Sequence, residues 1–476
     1  MVLIAQSDER SSCERPTSKC AQYVGVLVAT LAAFSIGTYL SWTSSALPLY
    51  NTNDTLSVSD QEGSWISSLV PLGAIPTAIP TGMFADRIGR KKTIWTTTVP
   101  LFLCWYIIGF AQSKIWIFLA RFVAGAACGA ASVVVPMFAS EIAEQSIRGL
   151  PGIIFQLQIT AGILFGYTTA FTDSLPVIAI LCSVAPALLL IFFPFVPESP
   201  VWLVMQGQKN EANIVLKHFR GIRCSTEAEL TRLELQASEM REIKPNISDL
   251  KNYPRATCII LGLMFFQQLS GVNILIFYAK KIFDDAGSIL SSSTSSVIMG
   301  VVQVIATYFS TVLIERVGKK LLLFISTSVM AVCMFTMSGY FRFQSSHDLS
   351  SFSWIPLLSF AVFIVIFSIG FAPVPWLMVG ELFTNNVKSV ANTAVMCNWT
   401  LAFLVTKCFQ DMVNLMGISS SFATFGMISL IGTIFVSVMV PETKGRSFEE
   451  IQIELYGTQI RIPTEDSEQR GKHNKT

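Results

Sequence analysis

The sequence predicts an all-α membrane protein of twelve spanning helices in two six-helix halves. Composition, the count of apolar runs and an internal repeat predict it. Hydrophobic residues make up 52% of the 476 positions and charged residues 13%, about half the charge of an average soluble protein. That little charge leaves a water-exposed surface uncovered, and that much apolar residue excludes disorder. Lys plus Arg is 33 and Asp plus Glu is 31, so no basic surplus exists to neutralise a nucleic-acid backbone.

A helix crosses a bilayer in about 20 apolar residues. Twelve such runs lie near 22–46, 64–84, 94–112, 115–139, 152–171, 176–196, 256–278, 295–314, 321–341, 353–379, 389–410 and 420–440. The first is long and lacks a small-residue cleavage site, so it reads as a retained helix. Arg87, Arg90, Lys91 and Lys92 follow the second run, and Arg316, Lys319 and Lys320 follow the eighth. The loop after the first run holds Asp54, Asp60 and Glu62 and no base. Positive charge marks the cytoplasmic side, which places both termini inside and predicts a multi-pass protein of the plasma membrane. Lys280 and Lys281 run against this trend. Asn53, in Asn53-Asp54-Thr55, is the sequon on the outer side and the expected glycosylation site.

Residues 1–196 form the first half and 256–440 the second. The linker between them, 197–255, holds nine Lys/Arg and eight Asp/Glu. Leu230, Leu233, Leu235 and Ala237 in 227–242 have helical spacing, which predicts short amphipathic helices at the cytoplasmic membrane surface. A cytoplasmic tail, 441–476, closes the chain. The ten cysteines form no CxxC pair and the three histidines are far apart, so neither a disulfide framework nor a metal site is expected. No cofactor is implied.

The repeat is the most informative feature. Asp86-Arg87-Ile88-Gly89-Arg90-Lys91 recurs as Glu315-Arg316-Val317-Gly318-Lys319-Lys320. Glu141 precedes Arg148 as Glu381 precedes Lys388, and Pro197-Glu198-Ser199 recurs as Pro441-Glu442-Thr443. Three patterns in one order indicate a parallel duplication, and two such bundles rock about a central site. Arg87, Arg90, Glu141, Arg148, Glu315, Lys319, Glu381 and Lys388 are the expected cytoplasmic gate. Exposed ion pairs are worth about 0–1 kcal/mol each, so a set of them sets a bias that ligand binding overturns. Purely topogenic charge leaves the repeated glutamates unexplained, because acids contribute little to orientation.

Acidic residues are missing from mid-depth, so a buried countercharge for an ionic ligand is not in view. Neutral amides are present instead: Gln156 in the fifth run, Gln267, Gln268 and Asn273 in the seventh, and Asn398 in the eleventh. Amides donate and accept, which suits a polyhydroxylated neutral molecule, and Trp376 offers an apolar plane for a ring. A lone amide is more often interhelical glue; the cluster argues for a ligand. Gly370, Pro373, Pro375 and Gly380 interrupt the tenth run and predict a hinge. Gly125 and Gly129 read as close helix packing.

These residues resemble the sugar porter family of the major facilitator superfamily. The motifs that carry the resemblance are Gly82 with Asp86-Arg87-x-Gly89-Arg90-Lys91, Arg121 with Gly125, Pro136 with Glu141 and Arg148-Gly149, Pro197-Glu198-Ser199-Pro200-x-Trp202-Leu203, Gln267-Gln268-Leu269-Ser270-Gly271-x-Asn273, Pro375-Trp376 with Glu381, and Pro441-Glu442-Thr443-Lys444-Gly445. The resemblance implies the major facilitator fold and sugar contacts at Gln156, Gln267, Gln268, Asn273, Trp376 and Asn398. Trp42-Thr43-Ser44, Ser64-Trp65, Ser368-x-Gly370-Phe371 and Thr406-Lys407-x-Phe409-Gln410-Asp411 are most similar to the insect facilitated trehalose transporter branch. Gln303 stands where glucose carriers have a site Asn, and Lys388-Ser389 replaces Arg-Gly.

The resulting expectation is a facilitative carrier of trehalose or a hexose working by alternating access. Its partners are a small neutral sugar and the bilayer, with no obligate protein partner. It makes and breaks no bond, so it is not an enzyme. One alternative is a proton-coupled symporter; such relatives carry an Asp in the first span, where Thr38 and Tyr39 stand here. The other is a sugar sensor that signals without transport.

Overall fold

The computed structural model describes residues 19–51, 56–147, 149–221, 225–242, 253–287, 290–383, 387–446 and 448–456. The helices, in chain order, are α1 Cys20–Ala29, α2 Leu31–Asn51, α3 Asp60–Ala74, α4 Ala78–Ile88, α5 Arg90–Gly109, α6 Lys114–Ile142, α7 Leu150–Thr168 and α8 Leu175–Phe192 in the first half. The linker forms α9 Pro200–Met205, α10 Lys209–Arg220 and α11 Glu227–Glu242. The second half forms α12 Pro254–Leu269, α13 Val272–Phe277, α14 Ala279–Asp285, α15 Ser292–Val317, α16 Lys319–Gln344, α17 Ile355–Ile366, α18 Val374–Leu382 and α19 Val387–Met439, followed by α20 Phe448–Tyr456.

Ten helical stretches among the described residues are long and apolar enough to cross a membrane. One of them, Ala391–Met439, is two spans, because the chain turns at Gly417 with φ of 82°. The twelfth span is α5, 20 residues long. The expected gap between the eleventh and twelfth runs, 411–419, is therefore helical on both sides of a single glycine.

Each half has its own apolar core. Tyr39, Trp42, Trp105, Phe138 and Phe193 sit in the first, and Phe277, Phe283, Phe363, Phe371 and Phe422 in the second. Within the first half, α2 packs on α7, α3 on α6, and α5 on both α6 and α8. Within the second, α19 packs on α12 and α16. The halves meet where α3 lies along α19, α7 along α15, and α13 against α2. Small residues permit these approaches: a Cβ on Gly125 would stand 2.2 Å from the Val70 carbonyl oxygen, and one on Gly300 would stand 2.9 Å from Leu164 Cα across the halves. The expected close packing at Gly125 is thus the α3–α6 contact.

The repeated glycines explain the repeated motif. Gly89 and Gly318 adopt φ of 101° and 104° between successive helices, a conformation for which residues with a Cβ are strained. The Glu198 carboxylate accepts from the Lys91 N–H at 3.0 and 3.2 Å and so caps the start of α5. Glu442 does the same for α16, accepting from the N–H groups of Lys319 and Lys320 at 3.1 and 3.2 Å. An anion at a helix N-terminus is favoured by the dipole and by the free N–H groups.

The linker helices build a small core of Leu203, Val204, Ala212, Leu216, Leu233 and Ala237. They dock on the first half through Phe219 in its core and through Arg220, whose Nη1 donates to the Ile142 carbonyl at 2.9 Å. Leu235, one of the four residues of the expected apolar stripe, is instead exposed.

Candidate functional site

Two broken helices meet at the expected amides. The seventh span stops at Leu269 and restarts at Val272, with Gly271 at φ of 89° between. The tenth span loosens into a π-helical turn, Phe367–Phe371, before α18. Pro375 has no N–H, so the Phe371 carbonyl four residues earlier loses its helical donor. Gln267 Nε2 fills that vacancy at 2.7 Å and reaches the Ala372 carbonyl at 3.3 Å. Gln267 Oε1 accepts from Asn398 Nδ2 at 2.7 Å. One amide thus joins the seventh, tenth and eleventh spans. Asn273 Nδ2 donates to Gln268 Oε1 across the Gly271 break.

Gln267, Gln268 and Asn273 are buried and Asn398 is half-buried. Trp376, in the first turn of α18, leaves 37% of its surface uncovered. The structure therefore brings together four of the six expected ligand residues as two bonded pairs, with Trp376 on the segment that Gln267 braces. Gln156 is half-buried on α7 and hydrogen-bonds to none of the other five among the described residues. Gln303 lines a small cavity with Tyr167, Leu275, Phe283, Met299 and Phe360.

The charged motif forms two copies of one triad. Arg90 pairs with Glu141 at 3.0 Å, and the Ser199 hydroxyl donates to the same carboxylate. Lys319 pairs with Glu381 and lies 3.4 Å from Thr443 Oγ1. Each triad ties the third helix of its half to the fourth, or its counterpart, and to the residue after Glu198 or Glu442. Arg90 also meets Asp86 at 3.0 Å. Arg87 is exposed on α4. Arg148 and Asn53 lie outside the described residues, as do the side chains of Glu315 and Lys388. These pairs, Arg90 with Glu141 and Asp86 and Lys319 with Glu381, run within a half. Glu198 and Glu442, the caps, were visible in the sequence as a repeated Pro-Glu pair but were not among the expected gate residues. Burial pushes the Glu198 carboxyl above its ordinary range, against the opposing pull of the Ser199 and Lys91 N–H groups.

Side-chain hydrogen bonds join the halves at mid-depth and at the opposite, Asp60 end. Trp399 Nε1 donates to Ser132 Oγ at 3.4 Å. Lys281 pairs with Asp60 at 2.9 Å, and Lys407 donates to Ser64 at 3.1 Å while its ammonium sits 5.0 Å over the Trp65 ring. The Tyr167 hydroxyl donates to the Ile276 carbonyl at 3.0 Å, and the Lys280 N–H to Ser44 Oγ at 3.0 Å. These bonds clamp α13 and α14 onto the first half. The two lysines that ran against the charge trend are thus part of an inter-half seal.

The comparisons with known proteins agree with this architecture. Residues 22–455 match the family described as "Sugar (and other) transporter". The chain is 37% identical over 456 residues to the facilitated trehalose transporter Tret1 of Polypedilum vanderplanki, covering 93% of this chain and 90% of the relative. It is 35% identical to the Culex quinquefasciatus protein of the same name, covering 93% and 88%. The chain spans about half of a third such relative, 53% of the Drosophila mojavensis protein, at 36% identity. Among solved structures it resembles the partially occluded inward open conformation of the xylose transporter XylE from E. coli, with a TM-score of 0.76 at 22% identity, covering 90% of this chain and 99% of that one.

Proposed function

From its membership of the sugar (and other) transporter family, we propose that this chain is a facilitative carrier of a small neutral sugar, a disaccharide of the trehalose type or a hexose, working by alternating access. The observation that carries the reading is the amide joint of Gln267, Asn398 and the Phe371 carbonyl, set beside the half-open Trp376 ring. It is neutral, rich in donors and acceptors, and built on two discontinuous helices of the second half, the kind of helix on which alternating-access carriers build their sites. A sugar that bonds to these amides displaces or extends contacts that also set the angle of α18. Binding and rocking are thereby coupled. A few neutral bonds of about 0.5–1.5 kcal/mol each give millimolar-scale affinity, which permits release.

The facilitative reading, over a proton-coupled one, is supported by the environment of Arg121. This buried cation bonds to the Tyr39 and Ile66 carbonyls at 2.8 and 3.1 Å. No protonatable carboxylate of the first span stands against it among the described residues. The reading also places the Arg90 and Lys319 end in the cytoplasm, the Asp60 end outside, and the chain in the plasma membrane, with Asn53 open to glycosylation. The two triads are the proposed gate: they hold the cytoplasmic end shut and break as it opens. The test is uptake of radiolabelled trehalose, glucose and fructose by purified protein in liposomes, with and without a pH gradient. Equilibration of one sugar, indifferent to a protonophore, is expected. Binding without uptake would favour the sensor, and protonophore-sensitive accumulation the symporter.

A further inference from the structure

The first half buries a cation that the sugar site does not use. Arg121 is fully buried on α6. Two of its nitrogens are spent on backbone carbonyls, while Nη2 has no acceptor. Its guanidinium lies 5.1 Å over the ring of Trp42. Three more buried donors lack acceptors in the same place: Trp42 Nε1, Trp105 Nε1 and the Tyr50 hydroxyl, on side chains at most 1% exposed. The rings form one contiguous set. Trp42 meets Tyr50 edge-on at 6.2 Å and Trp105 at 6.3 Å, and Trp105 stacks on Tyr39 at 4.1 Å. Tyr39 is not part of the deficit, because its hydroxyl donates to the Leu101 carbonyl at 2.8 Å.

Buried donors are normally paired, and a buried charge is normally neutralised. Here both rules fail together within one aromatic cage drawn from α2, α5 and α6. The Tyr39 and Ile66 carbonyls bring partial charges only, and no described carboxylate acts on Arg121. A water molecule would accept from the donors but leave the positive charge uncompensated. A small anion satisfies both. We propose that Arg121, Trp42, Trp105 and Tyr50 form a binding site for one monoanion of halide size. The donors with no opposing acceptor exclude cations. A single guanidinium walled by aromatic rings balances one negative charge and leaves the second charge of a dianion unmet.

The site is independent of the sugar reading, so its test is thermal unfolding of the purified full-length chain without sugar. Melting is followed in chloride and bromide against gluconate and sulfate at constant ionic strength. A saturable rise in Tm of about 3 °C or more is expected in the halides, with none in gluconate or sulfate. Trp105→Phe keeps the ring and removes one donor. It is expected to raise the half-saturating bromide concentration about tenfold. Arg121→Gln removes the charge and is expected to abolish the halide dependence; if that variant fails to fold, the Trp105→Phe titration still decides. Equal Tm in halide and gluconate overturns the site. A halide shift in the parent, with loss of affinity in Trp105→Phe, supports it.

Discussion

Pro375 leaves the Phe371 carbonyl without a helical donor, and Gln267 is the side chain that answers it, at 2.7 Å. That single substitution of a side chain for a backbone N–H ties the amides of the proposed sugar site to the bend of the tenth span. Gln267→Leu would leave the carbonyl and Asn398 Nδ2 without their bonds. The expected result is a rise of about tenfold in the half-saturating sugar concentration, measured by zero-trans uptake in liposomes. An unchanged half-saturation would remove Gln267 from the site. Glu198 supports a second prediction at this scale. Its folded pKa is raised from the ordinary 4.5 by burial, so only in the pH interval between the two values does the folded state hold a proton that the unfolded chain has released. The stabilisation is full below the ordinary value and is lost as pH rises through the raised one. Glu198→Gln cannot ionise and should gain in Tm on the parent as pH rises from about 4 to about 7. Parallel Tm profiles for the two proteins would refute the sign. The amides were legible in the sequence because polar residues stand out in apolar spans. Their pairing was not, since Asn398 reaches Gln267 from 131 residues away.

Helices broken at fixed places turn this chain from a static bundle into jointed rods. The apolar runs announce helices because backbone groups in lipid must bond internally, and the run boundaries followed from composition alone. Where the helices break depends on more than composition. Prolines and glycines marked the tenth span as interrupted, but not that the interruption is a π-turn over Phe367–Phe371. Gly417 divides a continuous helix by one positive φ, a signal that an apolar-run count does not carry. Gly89 and Gly318 were visible as a repeat, while their reason, a helix start capped by a distant glutamate, needed the fold. A Cβ on Gly89 would lie 2.3 Å from Glu198 Oε2, and one on Gly318 would lie 2.9 Å from Glu442 Oε2. Gly89→Ala and Gly318→Ala should therefore each cost about 1–3 kcal/mol, from the φ alone and from displacement of the cap. Thermal unfolding in detergent should show Tm lower by several degrees in both. An unaltered Tm in either would show that the cap contributes nothing there.

Across the whole molecule, the two ends of the bundle are held by different kinds of charge. Matched triads lie at one end, and each closes within its half. At the Asp60 end some contacts cross, Lys281 with Asp60 and Lys407 with Ser64, beside the pairs Lys114–Glu62 and Lys407–Asp411 that stay within a half. A repeat search therefore finds the internal struts and misses the seal, for which Lys281 looked like an exception to orientation. The Lys281–Asp60 pair is 42% and 64% exposed, so it is worth about 0.2–1 kcal/mol. Bonds of that size suit a boundary that must open in every cycle, since each shifts a two-state equilibrium by no more than about fivefold. Asp60→Lys places two like charges together and should favour opening at that end. Lys281→Asp should do the same, and the two changes combined should restore closure, because the pair is rebuilt with its signs exchanged. Labelling of a cysteine introduced at Ser67, buried on α3 below the seal, in a chain whose ten native cysteines are replaced by serine or alanine, by an impermeant maleimide applied from the Asp60 side reads the effect. Faster labelling in each single variant and a return toward the parent rate in the double variant are expected. A double variant that labels as fast as the singles would show that these charges act separately and that the apolar contacts of α13 on α2 close this end by themselves.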